Sequence, residues 1–416
     1  MVFRSAATTS TPGGRVPFAR PERLRHALAW ALPERPFALR FWDGSALEPT
    51  VPGGPVFTVR SPAAVAHLLR APGQLGLGRA YATGELEADD LDRVIDLLDT
   101  FKPPAINRAA RLSLSLAALR ACGLVRPPRI PASELRPRGR RHSRERDQRA
   151  VRHHYDVSND FFALFLDESM TYSCALFSRG AATLEEAQRA KLELVCAKLG
   201  LGEGERVLDV GCGWGSFVLH AAATHGVRAV GITLSPAQAE LARKRVAEAG
   251  LSKRVEIRVA DYRDLAGERF DAIASIGMVE HVGSKQIDVY AQQLASLLDS
   301  GGRLLNHGIA RLRHGDPEAG QFSERYVFPD AAPLHVSRVI LALERASIEP
   351  RHVEGLRQDY VDTLSEWISR LDANLQEAER LAGGERTRVW RLYLRAARHG
   401  FQTGFTSIHQ ILGRRT

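Results

Sequence analysis

The sequence predicts an α/β fold, a Rossmann-like sheet with helices on both faces, and three observations carry that prediction. Arg206–Val210 reads as a short buried strand, and Gly211, Gly213 and Gly215 then turn the backbone tightly into a helix from about Ser216. Downstream, apolar strands alternate with helical segments of the length that parallel crossovers require. Finally, 416 residues exceed what one such sheet needs, so a smaller α+β domain is expected beside it.

The elements follow in chain order. Residues 1–20 cluster Ser, Thr, Pro and Gly and read as disordered. Over 21–125 a small α+β domain is expected, with a helix at Arg23–Leu32 and strands at Phe37–Phe41 and Pro55–Val59. Ser61 caps a helix beginning at Pro62, and Leu91–Leu98 forms another. Asn107–Leu124 stands apart, its leucines and alanines interrupted by Arg108, Arg111 and Arg120. Such a helix either lies in a membrane interface or packs on its own protein.

Residues 126–150 read as a basic linker and 151–416 as the catalytic domain. There, strands are expected at Ala229–Thr233, Val255–Val259, Phe270–Ser275 and Arg303–His307. A helix at Pro236–Ala249 has proline in its first turn. Arg311–Pro329 reads as a polar lid segment and Ala332–Ala346 as a helix, followed by a strand at Ile348–Glu354. Helical patterns cover Tyr360–Leu381 and Glu385–Gly400, and Thr406–Leu412 is the last strand.

Charge is unevenly distributed. Residues 1–150 hold 24 Arg and Lys against 14 Asp and Glu, a net of +10 that leaves −1 for the remainder. Arg136, Arg138, Arg140, Arg141, Arg144, Arg146, Arg149 and Arg152 form a dense cluster. This cluster either binds an anionic surface, phospholipid or nucleic acid, or is a solvated linker. Nucleic acid is disfavoured, because no recognition motif or aromatic platform accompanies the charge. Cys122, Cys174, Cys196 and Cys212 are too scattered to suggest a disulfide framework or a zinc site, so no metal is expected. No leader-like apolar core opens the sequence, and no stretch nears the roughly 20 apolar residues that span a bilayer. The expected location is cytoplasmic, peripheral at the inner face of the membrane.

The loop after Arg206–Val210 has the form D-x-G-x-G-x-G rather than the dinucleotide pattern G-x-G-x-x-G, and Trp214 crowds it. It resembles motif I of S-adenosylmethionine (SAM) methyltransferases. Many of these carry an acid where Thr233 stands. Further segments narrow the resemblance: V-R-H-H-Y-D-V-S-N-D-F-F from Val151, M-T-Y-S-C-A from Met170, G-M-V-E-H-V-G from Gly277 and Y-V-F-P from Tyr326. Together with motif I these resemble the cyclopropane-fatty-acyl-phospholipid synthase family from about Val151 to Leu412. The tail around Trp390 and Ser407 looks closest to its actinobacterial fatty-acid methyltransferase branch. Upstream the resemblance is weaker, and Arg79 stands where the family commonly has an acid.

That resemblance implies SAM as cofactor and, as catalytic base, a bound bicarbonate. The positions matching its cradle are Cys174, Glu280, His307, Ile309 (through its backbone) and Tyr360. For SAM, the match implies Tyr172 and Ser173 at the methionine part. Asp209, Gly211 and Gly213 fall at the main-chain cradle, Thr233, Leu234 and Gln238 around ribose and adenine, and Asp261 and Tyr262 flank the adenine. His153 and Tyr155 would shape the mouth. The N-terminal domain would be lipid-binding-like, and a homodimer is implied. The expected reaction is SAM-dependent transfer to the cis double bond of unsaturated acyl chains in membrane phospholipid. The methylene-branched product would pass to a reductase partner; a cyclopropane is the alternative. Outside this reading stand a methyltransferase for small hydrophobic metabolites and a non-catalytic lipid-binding protein.

Overall fold

The computed structural model describes residues 20–123, 128–135, 139, 141–147, 149, 158–265, 267–315 and 321–416. The expected disorder of 1–19, the mouth residues His153 and Tyr155, and several arginines of the basic cluster lie outside them. The chain divides into two compact units, Met1–Ile130 and Pro131–Thr416.

In the first unit, helices α1 (Glu22–Ala31), α2 (Pro62–Arg70), α3 (Gln74–Ala82), α4 (Leu91–Thr100) and α5 (Arg108–Cys122) accompany a four-stranded sheet. Its strands β1 (Ala38–Arg40), β2 (Ala46–Leu47), β3 (Val56–Val59) and β4 (Leu86–Ala88) run in the order β2-β1-β3-β4, with β1 and β3 parallel. Ser61 caps α2 as expected, its Oγ accepting from Ala63 N at 3.0 Å. Helix α3 was not foreseen; Gly76 and Gly78 lie within it and Gly73 caps it, and glycine disfavours a helix interior. Gly76 is there for close approach: a Cβ would fall 2.1 Å from the Ala71 carbonyl oxygen.

Helix α5 is not a separate piece. Ala118, Ala121 and Cys122 join the core of Leu24, Phe41, Leu47, Val59 and Leu86. Its other face leaves Leu112, Leu116 and Leu119 between 42% and 62% exposed. Of the two alternatives left by the sequence, packing on its own protein is seen for one face of the helix, and the exposed leucines lie on the other.

The second unit contains helices α6 (Asn159–Ala163), α7 (Leu184–Leu199), α8 (Ser216–His225), α9 (Pro236–Glu248), α10 (Ile287–Leu297), α11 (Gln321–Tyr326), α12 (Val336–Arg345), α13 (Arg357–Ala373) and α14 (Leu375–Gln402). Its strands are β5 (Arg206–Val210), β6 (Arg228–Thr233), β7 (Val255–Val259), β8 (Phe270–Ile276), β9 (Leu298–Ala310), β10 (Ile348–Gly355) and β11 (Ser407–Arg415). They form one sheet in the order β10-β11-β9-β8-β5-β6-β7. From β9 to β7 neighbours are parallel, whereas β11 runs antiparallel to both β9 and β10. Alternate strand residues feed two cores. Leu208, Val230 and Ile273 pack with Tyr290, Leu294 and Leu343, while Val207, Ala229 and Ala272 pack with Val195, Phe217 and Ala239. Helices therefore cover both faces, as the alternation of strands and helices predicts.

Some boundaries move. The helix expected from Ala332 begins only at Val336, because Pro333 and the His335 cap hold an extended approach. The pattern Tyr360–Leu381 is split at Asn374, and Gly383 leaves helical geometry inside α14. The segment expected to be a polar lid contains α11 and buries Tyr326 and Val327. Within the basic segment, Arg141, Arg144 and Arg146 pair with Glu324, Asp264 and Asp330 respectively.

Candidate active site

Ligands of parallel α/β sheets sit beyond the carboxyl ends of the strands, and a cavity opens there. Its lining contains all ten residues expected at the cofactor: Tyr172, Ser173, Asp209, Gly211, Gly213, Thr233, Leu234, Gln238, Asp261 and Tyr262. Gly211 and Gly213 have φ of 88° and 53°, and the Gly211 N–H donates to the Ile232 carbonyl at 3.0 Å. Gly231 lets that loop close on β6, since a Cβ there would meet Cys212 at 2.9 Å. Trp214 is clamped from both sides: its Nε1 donates to Asn159 Oδ1 at 2.7 Å, and Arg245 donates to its carbonyl at 2.9 Å.

Thr233 Oγ1 donates to Gln238 Oε1 at 2.8 Å, which fixes the Gln238 amide with its Nε2 beside the glycine loop. Asp261 does not stand alone. Burial would raise its pKa, but hydrogen bonds from Arg263 at 2.6–3.0 Å outweigh that and hold it below the usual carboxylate range. Asp209 is the opposite case. Its Oδ1 is buried without a hydrogen-bond partner among the described residues, and burial pushes its pKa up to about 7 against the pull of Lys191. An orphaned carboxylate oxygen beside a Cβ-free loop suits a ligand that presents an ammonium group and no phosphate. The site therefore fits SAM.

The Tyr172–Cys174 segment is held by residues that the sequence reading missed. From α7, Gln188 Nε2 donates to the carbonyls of Ser173 at 2.8 Å and Thr171 at 3.2 Å, and Lys191 Nζ donates to Ser173 Oγ at 2.8 Å. From α13, Thr363 Oγ1 accepts from Ala175 N at 3.0 Å, and Asp359 accepts from Phe177 N and Ser178 N at 2.7 and 2.8 Å. Lys191 is fully enclosed, and burial lowers its pKa to about 8. The signal was available: Thr183-Leu184-Glu185-Glu186 forms a capping box, which sets the register that points Gln188 and Lys191 inward with Leu184 and Leu192.

The five base-cradle candidates lie outside the lining of the cofactor cavity, on or beside β9 and α13. His307 and Ile309 are near the end of β9. The Ile309 backbone N–H bonds the Glu280 carboxylate, and Gly308 lets the Val279–Glu280 turn pack on β9, a Cβ there falling 2.1 Å from Val279 Cγ1. Ile309 pairs with Ile408, whose carbonyl accepts from Leu356 N at 3.0 Å. The Leu356 carbonyl in turn accepts from Tyr360 N at 3.2 Å and from Cys174 Sγ at 3.7 Å. Burial pushes Glu280 up to about 7, holds His307 well below its ordinary range, and keeps the Cys174 thiol protonated.

Glu280 Oε2 and His307 Nε2 are both buried without partners among the described residues. Tautomer assignment makes them complementary. Lys198 Nζ donates to Gln410 Oε1 at 2.7 Å, so the Gln410 amide turns its Nε2 to His307 Nδ1 at 3.3 Å. His307 Nδ1 is then the acceptor, and its proton is on Nε2. His307 then offers a donor and Glu280 an acceptor, each without a partner among the described residues.

The model of the mycolic acid cyclopropane synthetase family matches residues 142–411. The chain is 40% identical over 369 residues, 85% of each chain, to the "Probable fatty acid methyltransferase Rv3720" of Mycobacterium tuberculosis. It is 32% identical over 419 residues to the "Tuberculostearic acid methyltransferase UfaA1" of the same organism, covering 98% of this chain and 94% of that one. The solved structure of mycolic acid cyclopropane synthase CmaA1 complexed with SAH and CTAB superposes with a TM-score of 0.61 at 33% identity, covering 64% of this chain and 98% of that one. The match over residues 142–411 and these relatives place the chain in the mycolic acid cyclopropane synthetase family.

Proposed function

We propose that this chain uses SAM to add one carbon to the cis double bond of an unsaturated acyl chain in membrane phospholipid. The observation that carries the reading is that Glu280 Oε2 and the His307 Nε2–H are both buried without partners among the described residues. An isolated alkene is a weak nucleophile, and SAM supplies the strongly electrophilic methyl it requires. The π electrons form the new C–C bond as the methyl–sulfur bond breaks, and the positive charge left on the acyl chain is discharged by loss of a proton from the added carbon. Ring closure gives a cyclopropane; a prior hydride shift along the chain gives an exocyclic methylene.

Bicarbonate fits as the base. It can accept from His307 Nε2–H and donate its hydroxyl to Glu280, with Cys174, Tyr360 and the Ile309 backbone completing the cradle. Beside Tyr360, Trp367 belongs to a cluster in which Phe162, Phe165, Tyr172 and Trp390 pack ring against ring, a wall that would exclude water from a cationic reaction. In the same reading Tyr172, Ser173 and Asp209 hold the methionine part of SAM, while Leu234, Gln238 and Tyr262 surround its ribose and adenine.

The lipid surface is read from α5. Leu112, Leu116 and Leu119 form an exposed stripe at helical spacing on a helix that also carries Arg108, Arg111 and Arg120. The stripe supports reading the protein as peripheral at the inner face of the membrane; no helix among the described residues is long and apolar enough to cross a membrane. Similarity to a tuberculostearic acid methyltransferase over nearly the whole chain favours the methylene product, which a reductase would then saturate. A homodimer completes the reading and is tested by sedimentation.

The test is incubation with methyl-labelled SAM and oleoyl-phospholipid vesicles, followed by mass spectrometry of the fatty acids. A gain of one CH2, lost in Glu280→Gln, supports the reading, and catalytic hydrogenation with fragmentation separates ring from methylene. No gain while SAM still binds would remove the lipid assignment. Turnover that is indifferent to withdrawal and return of bicarbonate would remove the bicarbonate.

A further inference from the structure

A second cluster of ligating side chains lies outside the cofactor cavity. Cys196, on α7, is fully buried among Val195, Leu199 and Phe217. Helix α8 places His220 and His225 over it, their side chains 14% and 22% exposed. The ligating atoms of Cys196, His220 and His225 lie within 4.8 Å of one another. Glu193, three residues before Cys196 on α7, lies beside both histidines. Its Oε2 is 3.1 Å from Nε2 of each.

We propose that Cys196, His220 and His225 bind a divalent metal ion of the zinc class, with Glu193 orienting the two imidazoles from beside the site. Tetrahedral zinc with bonds of about 2.0–2.3 Å sets its ligand atoms roughly 3.3–3.7 Å apart. The three ligand atoms, within 4.8 Å of one another, need to close by at most about 1 Å, which rotamer changes of two partly exposed histidines supply. One thiolate and two imidazoles select zinc, cobalt or copper over magnesium and calcium, and binding releases the thiol proton.

The ion would staple α7 to α8. None of the four residues lines the cofactor cavity, but α7 also carries Lys191 and α8 carries Phe217, and both of these do. Linear spacing shows nothing of the site, because its ligands come from two helices separated by a strand.

The experiment titrates the metal-free full-length protein with Co2+. Binding of one equivalent with a thiolate-to-cobalt charge-transfer band is expected, displaced by Zn2+. The band should vanish in Cys196→Ser, and affinity should fall at least tenfold in His220→Gln and in His225→Gln. Zinc should raise the melting temperature of the wild type but not of the double histidine variant, whose SAM binding reports that it is folded. A wild type without the band, a band that survives Cys196→Ser, or unchanged affinity in both histidine variants would overturn the proposal.

Discussion

Gln410 Nε2 sits 3.3 Å from His307 Nδ1 while the same amide accepts from Lys198 on its other side. Through that relay, a residue that never reaches the reacting carbon sets which nitrogen of His307 carries the proton. Lys198 is itself paired with Glu354, so the chain of bonds runs from the sheet edge to the cradle.

Gln410→Leu is therefore expected to lower kcat about tenfold, the loss of one orienting hydrogen bond worth about 1.4 kcal/mol. KM for SAM should stay unchanged, and Gln410→Glu should restore less than half of the lost rate, because a carboxylate pulls the proton onto Nδ1. Equal effects on kcat and on SAM affinity would show that Gln410 only supports the fold.

Lys191 joins the cofactor cavity to the Tyr172–Cys174 segment. Lys191→Met leaves the Ser173 hydroxyl without its donor and Asp209 without its nearby cation. SAM binding, read by calorimetry, should weaken at least tenfold. Full affinity in a folded Lys191→Met variant would contradict the role given to this helix.

Two buried carboxyls make stability fall as pH rises. Glu280 is held up at about 7 against an ordinary 4.5, so between those values the native state keeps a proton that the unfolded chain has released. The penalty grows across that window and is constant above it, reaching on the order of 3 kcal/mol for Glu280. Asp209 adds a slope of the same sign. Urea unfolding from pH 4.5 to 8 should show Glu280→Gln equal to the wild type at the acid end and more stable at the alkaline end. Parallel curves would mean that Glu280 is not held protonated.

How far the sequence carries the site depends on where its constraints are local. The glycine loop was legible because strand, turn and helix are contiguous, and the cofactor residues follow it at strand ends. Lys191 and Gln188 were not: they matter only once α7 is docked against the Tyr172–Cys174 segment. The orientation of Gln410 towards His307 depends on strand pairing between β9 and β11. Helix α3 was hidden by glycines that serve close packing, and the antiparallel β11 looks, residue by residue, like any other apolar strand.

The α5 stripe gives a prediction that leaves the chemistry untouched. Replacing Leu112, Leu116 and Leu119 with Gln should reduce sedimentation with phospholipid vesicles and turnover on them, with SAM affinity unchanged. Vesicle binding equal to the wild type would assign that face to something other than lipid.

The central claim is that a base in the Glu280–His307 cradle removes a proton from the carbon that SAM delivers. SAM carrying a fully deuterated methyl tests it most directly, with the acyl product read by mass spectrometry. The account predicts that two of the three deuteriums remain, whether a ring or a methylene forms. Retention of all three would mean that the proton leaves the acyl chain instead, and would contradict it.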